Sequence, residues 1–469
     1  MSTFSGLNTA ASGLAAARRG MDIVGQNIAN QTTDGYTRQR VTTESVSAVA
    51  QAGRFSTGVV PGQGVAVTGI ARLGDALLDA RVRDTLAVSG FWTTRAVAAT
   101  TAEAALAEPT KDGLAARLSA FWAGWEDLAN TPDAGAAGAV VLESGKELAA
   151  HIADGYRTVA AQWSDARASA DRMVSQVNAA AQQIATLNRD IRDALASGRS
   201  ANELMDQRSV LAQSVARTVG ATASIETDGT MTLRVDGNAL VAGVDARKLA
   251  VTGPSSLDAG QRVSVSWEDA PAVPVSVASG ELGGTLSVLA PAVDGGMLAQ
   301  LAATFNTVAT ALADRVNAQH SAGVTSSGAP GGAFFAVSAT GPAALGLTVI
   351  PQTTAQLALA APGTGAFDAT NADAIAQIGR AAGSPDAIWS DLVMTFAVTT
   401  AGDIQRARFS ETSAVTAATA QQSVAAVDGD EETISLLTYQ TAYQAAARVI
   451  TAVDEALDTV INRMGMVGR

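Results

Sequence analysis

The chain has 469 residues, 47% of them hydrophobic but only 4% aromatic, and carries a net charge of -13. This length exceeds one ordinary core and implies roughly two to four domains, while the negative charge argues against nucleic acid or an anionic membrane surface as a partner. No cysteine is present, so disulfides and thiolate chemistry are excluded.

Steps of three and four residues from Leu7 land on Leu7, Ala10, Leu14, Ala17, Met21, Val24 and Ile28, an apolar seam that predicts a helix built to lie against another helix. At its end Asn30 is placed to cap the helix in the left-handed region. Asp34 and Gly35 signal a turn, and Tyr36 to Val41 alternates like a strand. Residues 41–71 hold short alternating pieces. Gly62 and Gly64 lack the third glycine and the Lys-Ser/Thr pair of a phosphate loop, so Val59 to Val67 reads as a strand entered by a turn. A helix is expected over Arg72 to Ala107, on a stripe of Leu73, Leu77, Ala80 and Asp84, with Pro109 ending it. Another spans Asp112 to Ala129, its Leu114, Leu118, Phe121, Trp122 and Trp125 forming core.

The longest periodicity runs from Ile152 to Ile191 and predicts a rod of roughly 60 Å, which suits long antiparallel helices packed side by side. A further helix covers Asn202 to Gly220. Beyond it the period becomes two: Ala221 to Thr227, Thr230 to Val235 and Asn238 to Val241 read as strands joined by tight Asp-Gly hairpins. More strands are expected at Lys248 to Thr252, Val263 to Trp267 and Val273 to Val277. Leu298, Leu301, Phe305, Val308, Leu312 and Val316 then form a heptad seam. Residues 324–370, rich in Gly, Pro, Ala and Thr, read as loop and short strand completing the β region. A short helix capped by Asn371 follows, and Pro385 opens a helix to about Val427 with a tail polar nearly all round. Asp428, Asp430, Glu431 and Glu432 lack calcium-loop spacing and read as a solvated cap of the last helix. That helix carries a second unbroken seam: Leu436, Tyr439, Tyr443, Ala446, Ile450, Val453, Leu457, Val460 and Met464.

Each seam could serve an ordinary core. Their location at opposite ends of the chain instead suggests that they close on each other, on copies of themselves, or both. The predicted fold class is mainly α with an inserted β domain, built of long antiparallel helices, with the N- and C-terminal helices forming a coiled coil. The expected division is 1–40 with 431–469 as a terminal coiled-coil core, 41–219, 292–323 and 371–430 as a long-helix domain, and 220–291 with 324–370 as a small β-rich outer domain.

His151 and His320 have no partner at metal-ligand spacing. No nucleophile elbow, Walker loop or zinc motif occurs, and with 44 acidic residues carboxylate pairs carry no information. No cofactor or metal is expected, and a non-enzyme reading leads.

The runs Ser12-Gly13-Leu14, Asn27 to Asn30, and Thr33 to Arg38 with Gly35 and Tyr36 resemble the N-terminal signature of bacterial flagellar axial proteins, the rod, hook and hook-associated proteins. Tyr443 to Ile450 is similar to that family's C-terminal motif, with Ala446 where the family usually has Asn. The stretch holding Asn202, Leu204, Asp206, Gln207 and Arg208 resembles an internal signature of the hook-associated junction members. Phe305 to Gly323 and Gly331 to Phe335 are similar to the same branch.

The resemblance implies a structural subunit that joins hook to filament, in a helical or ring layer of identical subunits. It implies the hook protein and the next hook-associated protein as neighbours, and an export chaperone at the C-terminal helix. No apolar run approaches the roughly 18 residues of a membrane span, and the N-terminus lacks signal-peptide organisation. Ordinary targeting rules therefore predict a cytoplasmic chain, whereas the resemblance implies type III export to the extracellular flagellum without a cleaved signal. Two alternatives remain open: a hook or rod protein, and a secreted enzyme or adhesin with axial termini whose active part is the β region.

Overall fold

The computed structural model describes residues 3–47, 62–131, 135–257, 261–365 and 368–459. The chain leaves a terminal helix, builds a helical body, and returns. Helix α1 (Thr3–Ala29) leads into an antiparallel ribbon of β1 (Gln39–Ser45) and β2 (Val65–Arg72). The body follows with α2 (Ala76–Leu106), α3 (Leu114–Asn130), α4 (Gly135–Ala196) and α5 (Asn202–Val219). The 62 residues of α4 extend some 90 Å at about 1.5 Å per residue. The helix is longer than the periodicity predicts because its Gly/Ala-rich start blurs the pattern, although Val141, Leu142 and Leu148 there are buried.

Against the second half of α4 lie two antiparallel sheets. One is a meander of β3 (Thr222–Ile225), β4 (Met231–Val235), β5 (Asn238–Ala242) and β6 (Asp245–Ala246). The other holds β7 (Leu249–Thr252), β8 (Ser264–Trp267) and β9 (Ala270–Val275). The Asp236-Gly237 hairpin has positive φ at both residues, as a two-residue turn requires. The Asp228-Gly229 connection is wider than predicted: Asp228 accepts from the Thr230 N–H within a loop closed by Glu226 N–H on Thr230 O. Helices α6 (Gly280–Leu289) and α7 (Met297–Ala322) rebuild the bundle, with all six predicted α7 seam residues buried.

Residues 324–370 do not complete the sheets. Strands β10 (Val324–Thr325) and β11 (Phe335–Ala336), helix α8 (Ala343–Gly346), β12 (Thr348–Val349) and β13 (Ala358–Ala360) pair β10 with β13 and β11 with β12. They pack on α4, α7 and α9 (Thr370–Ala376), because Phe334 and Phe335 find their apolar surroundings in Phe121 and Trp125. His320 belongs to that cluster. Its Nδ1–H donates to Gly332 O and its Nε2 accepts from Ala358 N–H, so it is a buried neutral structural group whose pKa burial lowers. Asn371 is no cap: it is buried, donating to Ala358 O and accepting from Gln319.

Helix α10 (Pro385–Ala425), capped by Ser384, runs along α2, and α11 (Gly429–Asp458) runs back along α1. The predicted α2 stripe lies on the wrong side: Leu77 is 77% exposed and Asp84 exposed, while Val82, Ala87, Ala96 and Ala99 face the body. The α10 tail is not polar all round either, since Ala414 and Ala417 bury against the bundle. Body helices and both sheets share one continuous core, from Ala99 to Phe396.

Candidate assembly joint

Where the terminal pair meets the body, the polar residues of the sequence motifs are drawn together. Asn27, on the last turn of α1, is buried and uses its whole hydrogen-bonding capacity. Its Nδ2 donates to Gln39 O at 2.9 Å and Glu432 Oε2 at 3.0 Å. Its Oδ1 accepts from Gln39 N–H at 3.0 Å and the Tyr36 hydroxyl at 2.9 Å. One side chain thus holds the end of α1, the start of β1 and the start of α11.

Glu432 is 2% exposed. It was expected to be solvated, but Arg38 Nε reaches its Oε1 at 2.6 Å while Arg38 Nη1 takes Glu431 at 2.6 Å. The two carboxylates, despite the burial that opposes it, raise the Arg38 pKa. The four-acid group therefore divides: Asp428 caps α11 by accepting from the N–H groups of Asp430 and Glu431, and the glutamates hold the joint. Burial, then Glu203, Asp206 and Glu432, push the Tyr36 phenol up to about 12.

On the body side α5 supplies the partners. Asp206 accepts from Thr37 N–H at 3.0 Å and from Arg72 Nε at 2.5 Å, so α5 holds the end of the ribbon where the chain enters and leaves it. Asn202 donates to Gln39 Oε1 and Ile70 O, and Gln39 Nε2 donates to Glu203. One turn on, buried Arg208 donates to Asn188 Oδ1 and Gly229 O, and Asn188 donates to Met231 O and Gly243 O, which fastens the first sheet to α4 and α5. Burial first, and then Arg72, depress the Arg208 pKa to about 10, still charged at neutral pH. Leu204 packs beside Ile191, Ala194 and Ala201. Gln207 is exposed beside a groove.

Asn30 does not take the left-handed conformation; its Nδ2 donates to Gln26 O and its Oδ1 accepts from Thr33. Gly35 does, at φ +76, and a Cβ there would also collide with Val210. Arg38, Gln39, Arg72 and Glu432 are joint residues that the sequence reading did not single out as such. The only signal was charge: an arginine after the Tyr36 turn and paired glutamates near the other end.

Above the joint, Asn27 near Glu432 and Gly20 against the Tyr439 ring make α1 and α11 antiparallel. The face of α1 turned inward carries Ala10, Ala17, Gly20, Val24 and Asn27. Ala10, Ala17 and Val24 of the predicted seam lie on it, and the rest of that seam is turned aside. Leu7, Leu14 and Met21 are half-buried along its flank and Ile28 is 40% exposed, because Gly20 lets the Tyr439 ring sit on the helix backbone. On α11 Leu436, Tyr439, Tyr443, Ala446, Ile450, Val453 and Leu457 are all half-buried, and Val460 and Met464 lie outside the described residues, as do Val59 to Pro61 of the predicted strand. Among the described residues no group of three His, Asp or Glu is placed to hold a metal, and no helix is long and apolar enough to cross a membrane.

Residues 99–335 match a family model described as the flagellar hook-associated protein FlgK helical domain. Residues 7–37 match the flagella basal body rod protein family, and residues 421–464 the C-terminal family of the flagellar basal body rod proteins FlgEFG. Flagellar hook-associated protein 1 of Bacillus subtilis is 30% identical, over 100% of both chains. That of Salmonella typhimurium is 30% identical over 71% of this chain and 59% of its own length. The hook junction protein FlgK of Burkholderia pseudomallei shares the fold, with a TM-score of 0.63 at 14% identity, covering 73% of this chain and 100% of that one. Matched along its whole length, and in its helical domain by the family's own model, the chain belongs to the flagellar hook-associated protein 1 family.

Proposed function

We propose that this chain is a non-catalytic structural subunit joining hook to filament, which assembles through α1 and α11 with identical copies into a short helical layer. The hook protein lies on one side of that layer and the next hook-associated protein on the other. The observation that carries this reading is the unequal burial of the terminal pair. Ile28, Ile434, Leu437 and Val449 stand at 40–66% exposure beside the half-buried Leu7, Leu14 and Met21, whereas the body closes its own core. No apolar residue of α11 is buried, and a helix whose apolar seam stays part-exposed suits burial by neighbours. In this reading residues 1–40 with 431–469 wind into the coiled-coil axial core, 41–219, 292–323 and 371–430 form the surrounding long-helix layer, and the β-rich part faces outward. The motif residues Asn27, Tyr36, Asn202 and Asp206 set the angle between core and layer. Export without a cleaved signal keeps α11 uncovered until a chaperone masks its seam. Immunogold labelling of intact flagella tests the proposal: a single narrow band where hook meets filament is expected, and label along the whole filament, or none, overturns it.

A further inference from the structure

Beside the joint, between α4, α5 and the turn after α1, lies an open groove of about 920 Å3. Leu187, Val210 and Leu211 give it an apolar floor, and Asp34 and Glu203 stand among its lining. Neither carboxylate has an ion-pair partner among the described residues; Glu203 accepts only the Gln39 amide, and Arg72 is committed to Asp206 and Asp79. The negative potential is felt by Tyr36, whose phenol burial and then Glu203 and Asp206 push up. Helix α1 offers a partner: Arg18 and Arg19 are exposed on its outer side and make no ion pair among the described residues.

We infer that this groove receives the outer side of α1, with Arg18 and Arg19, from a second copy of this chain. The inference rests on the assembling-subunit reading and adds to it a contact between the terminal pair of one copy and the body of another. An arginine suits the site because its alkyl stem lies on apolar floor while its planar head takes carboxylates. The same copy cannot supply it: α1 is continuous, and the stretch from Arg19 to its end sets the guanidinium roughly 15 Å along the axis from the groove.

The chain has no cysteine, so paired cysteines report the contact cleanly. In flagella carrying Arg19→Cys/Asp34→Cys, mild oxidation is expected to yield a ladder of linked copies, and either single variant none. Normal incorporation without a ladder overturns the inference and leaves the proposed function standing, whereas wild-type protein absent from flagella overturns both. Charge exchange decides independently of the cysteines. Asp34→Arg/Glu203→Arg and Arg18→Glu/Arg19→Glu should each lower incorporation about tenfold or more, and the combined exchange should restore it. A combined variant as poor as its parents points to a different basic partner and overturns the assignment.

Discussion

The body and the terminal pair are both long helices, yet they are held by opposite means. In the body Phe121, Trp125, Trp163, Leu301 and Leu312 are essentially inaccessible and belong to one core that includes both sheets. In α11 the buried residue is a glutamate, Glu432, and its apolar seam is only half covered. Apolar burial scales with area and has no direction, so a body saturated with it stands alone. Hydrogen bonds and ion pairs contribute less net energy but fix geometry. A pair anchored by Asn27, Arg38 and Glu432 is therefore aimed before its seam is filled. The lesson is a division of labour: the core makes the body stable, and the polar joint sets where the terminal helices point.

This contrast can be broken most severely in the body. Trp125→Ala removes a fully buried ring between Phe121, Phe334 and His320, and should destabilise the chain by about 3–5 kcal/mol, read as a large fall in the denaturant midpoint. At the joint, Glu432→Ala leaves Arg38 Nε and one Asn27 N–H unpaired, and Asn27→Ala orphans the Gln39 backbone groups and the Tyr36 hydroxyl; a loss of about 1–3 kcal/mol is expected for the latter. Hydrogen exchange should show that loss localised to α1 and α11 while α4 stays protected. Equal deprotection of α4 would show that the terminal pair and body are one cooperative unit.

Acid should act on the body next. Because the folded His320 pKa lies below the ordinary 6.5, the unfolded chain binds the proton first. Its contribution is complete above about pH 6.5 and is lost as pH falls towards the lower folded value. His320→Gln should flatten the fall of melting temperature between pH 7 and 5, leaving the slope due to His151 and the carboxylates. An unchanged slope would remove His320 from the account. The smallest effect on the free subunit is expected at Leu457, half-buried on α11. Leu457→Asp should move the thermal midpoint by no more than a few degrees while abolishing attachment of the filament, if neighbours complete that burial as proposed. A large drop in the isolated subunit would make the seam internal core.

What the sequence determined by itself was the existence and course of elements with a strong local period. The α7 seam from Leu298 to Val316, the rod from Ile152 to Ile191, the Asp236-Gly237 hairpin and the terminal stripes were legible because helix and strand each place side chains at fixed intervals. The motif residues were legible as a pattern, without their use. Tertiary structure decided which face of a helix is the inside: Leu77 turned outward, and the α1 contact line kept Ala17 and Val24 but took in Gly20 and left Leu14 and Met21 on its flank, because a tyrosine ring from the far end of the chain needed the space. It also decided that residues 324–370 cover the bundle instead of the sheets, since Phe334 found its neighbours on α3. It brought Arg38 to Glu432 across almost the whole chain. A hydrophobic or charged residue states how much it gains by being buried or paired but not with which partner, and only the packed chain makes that choice.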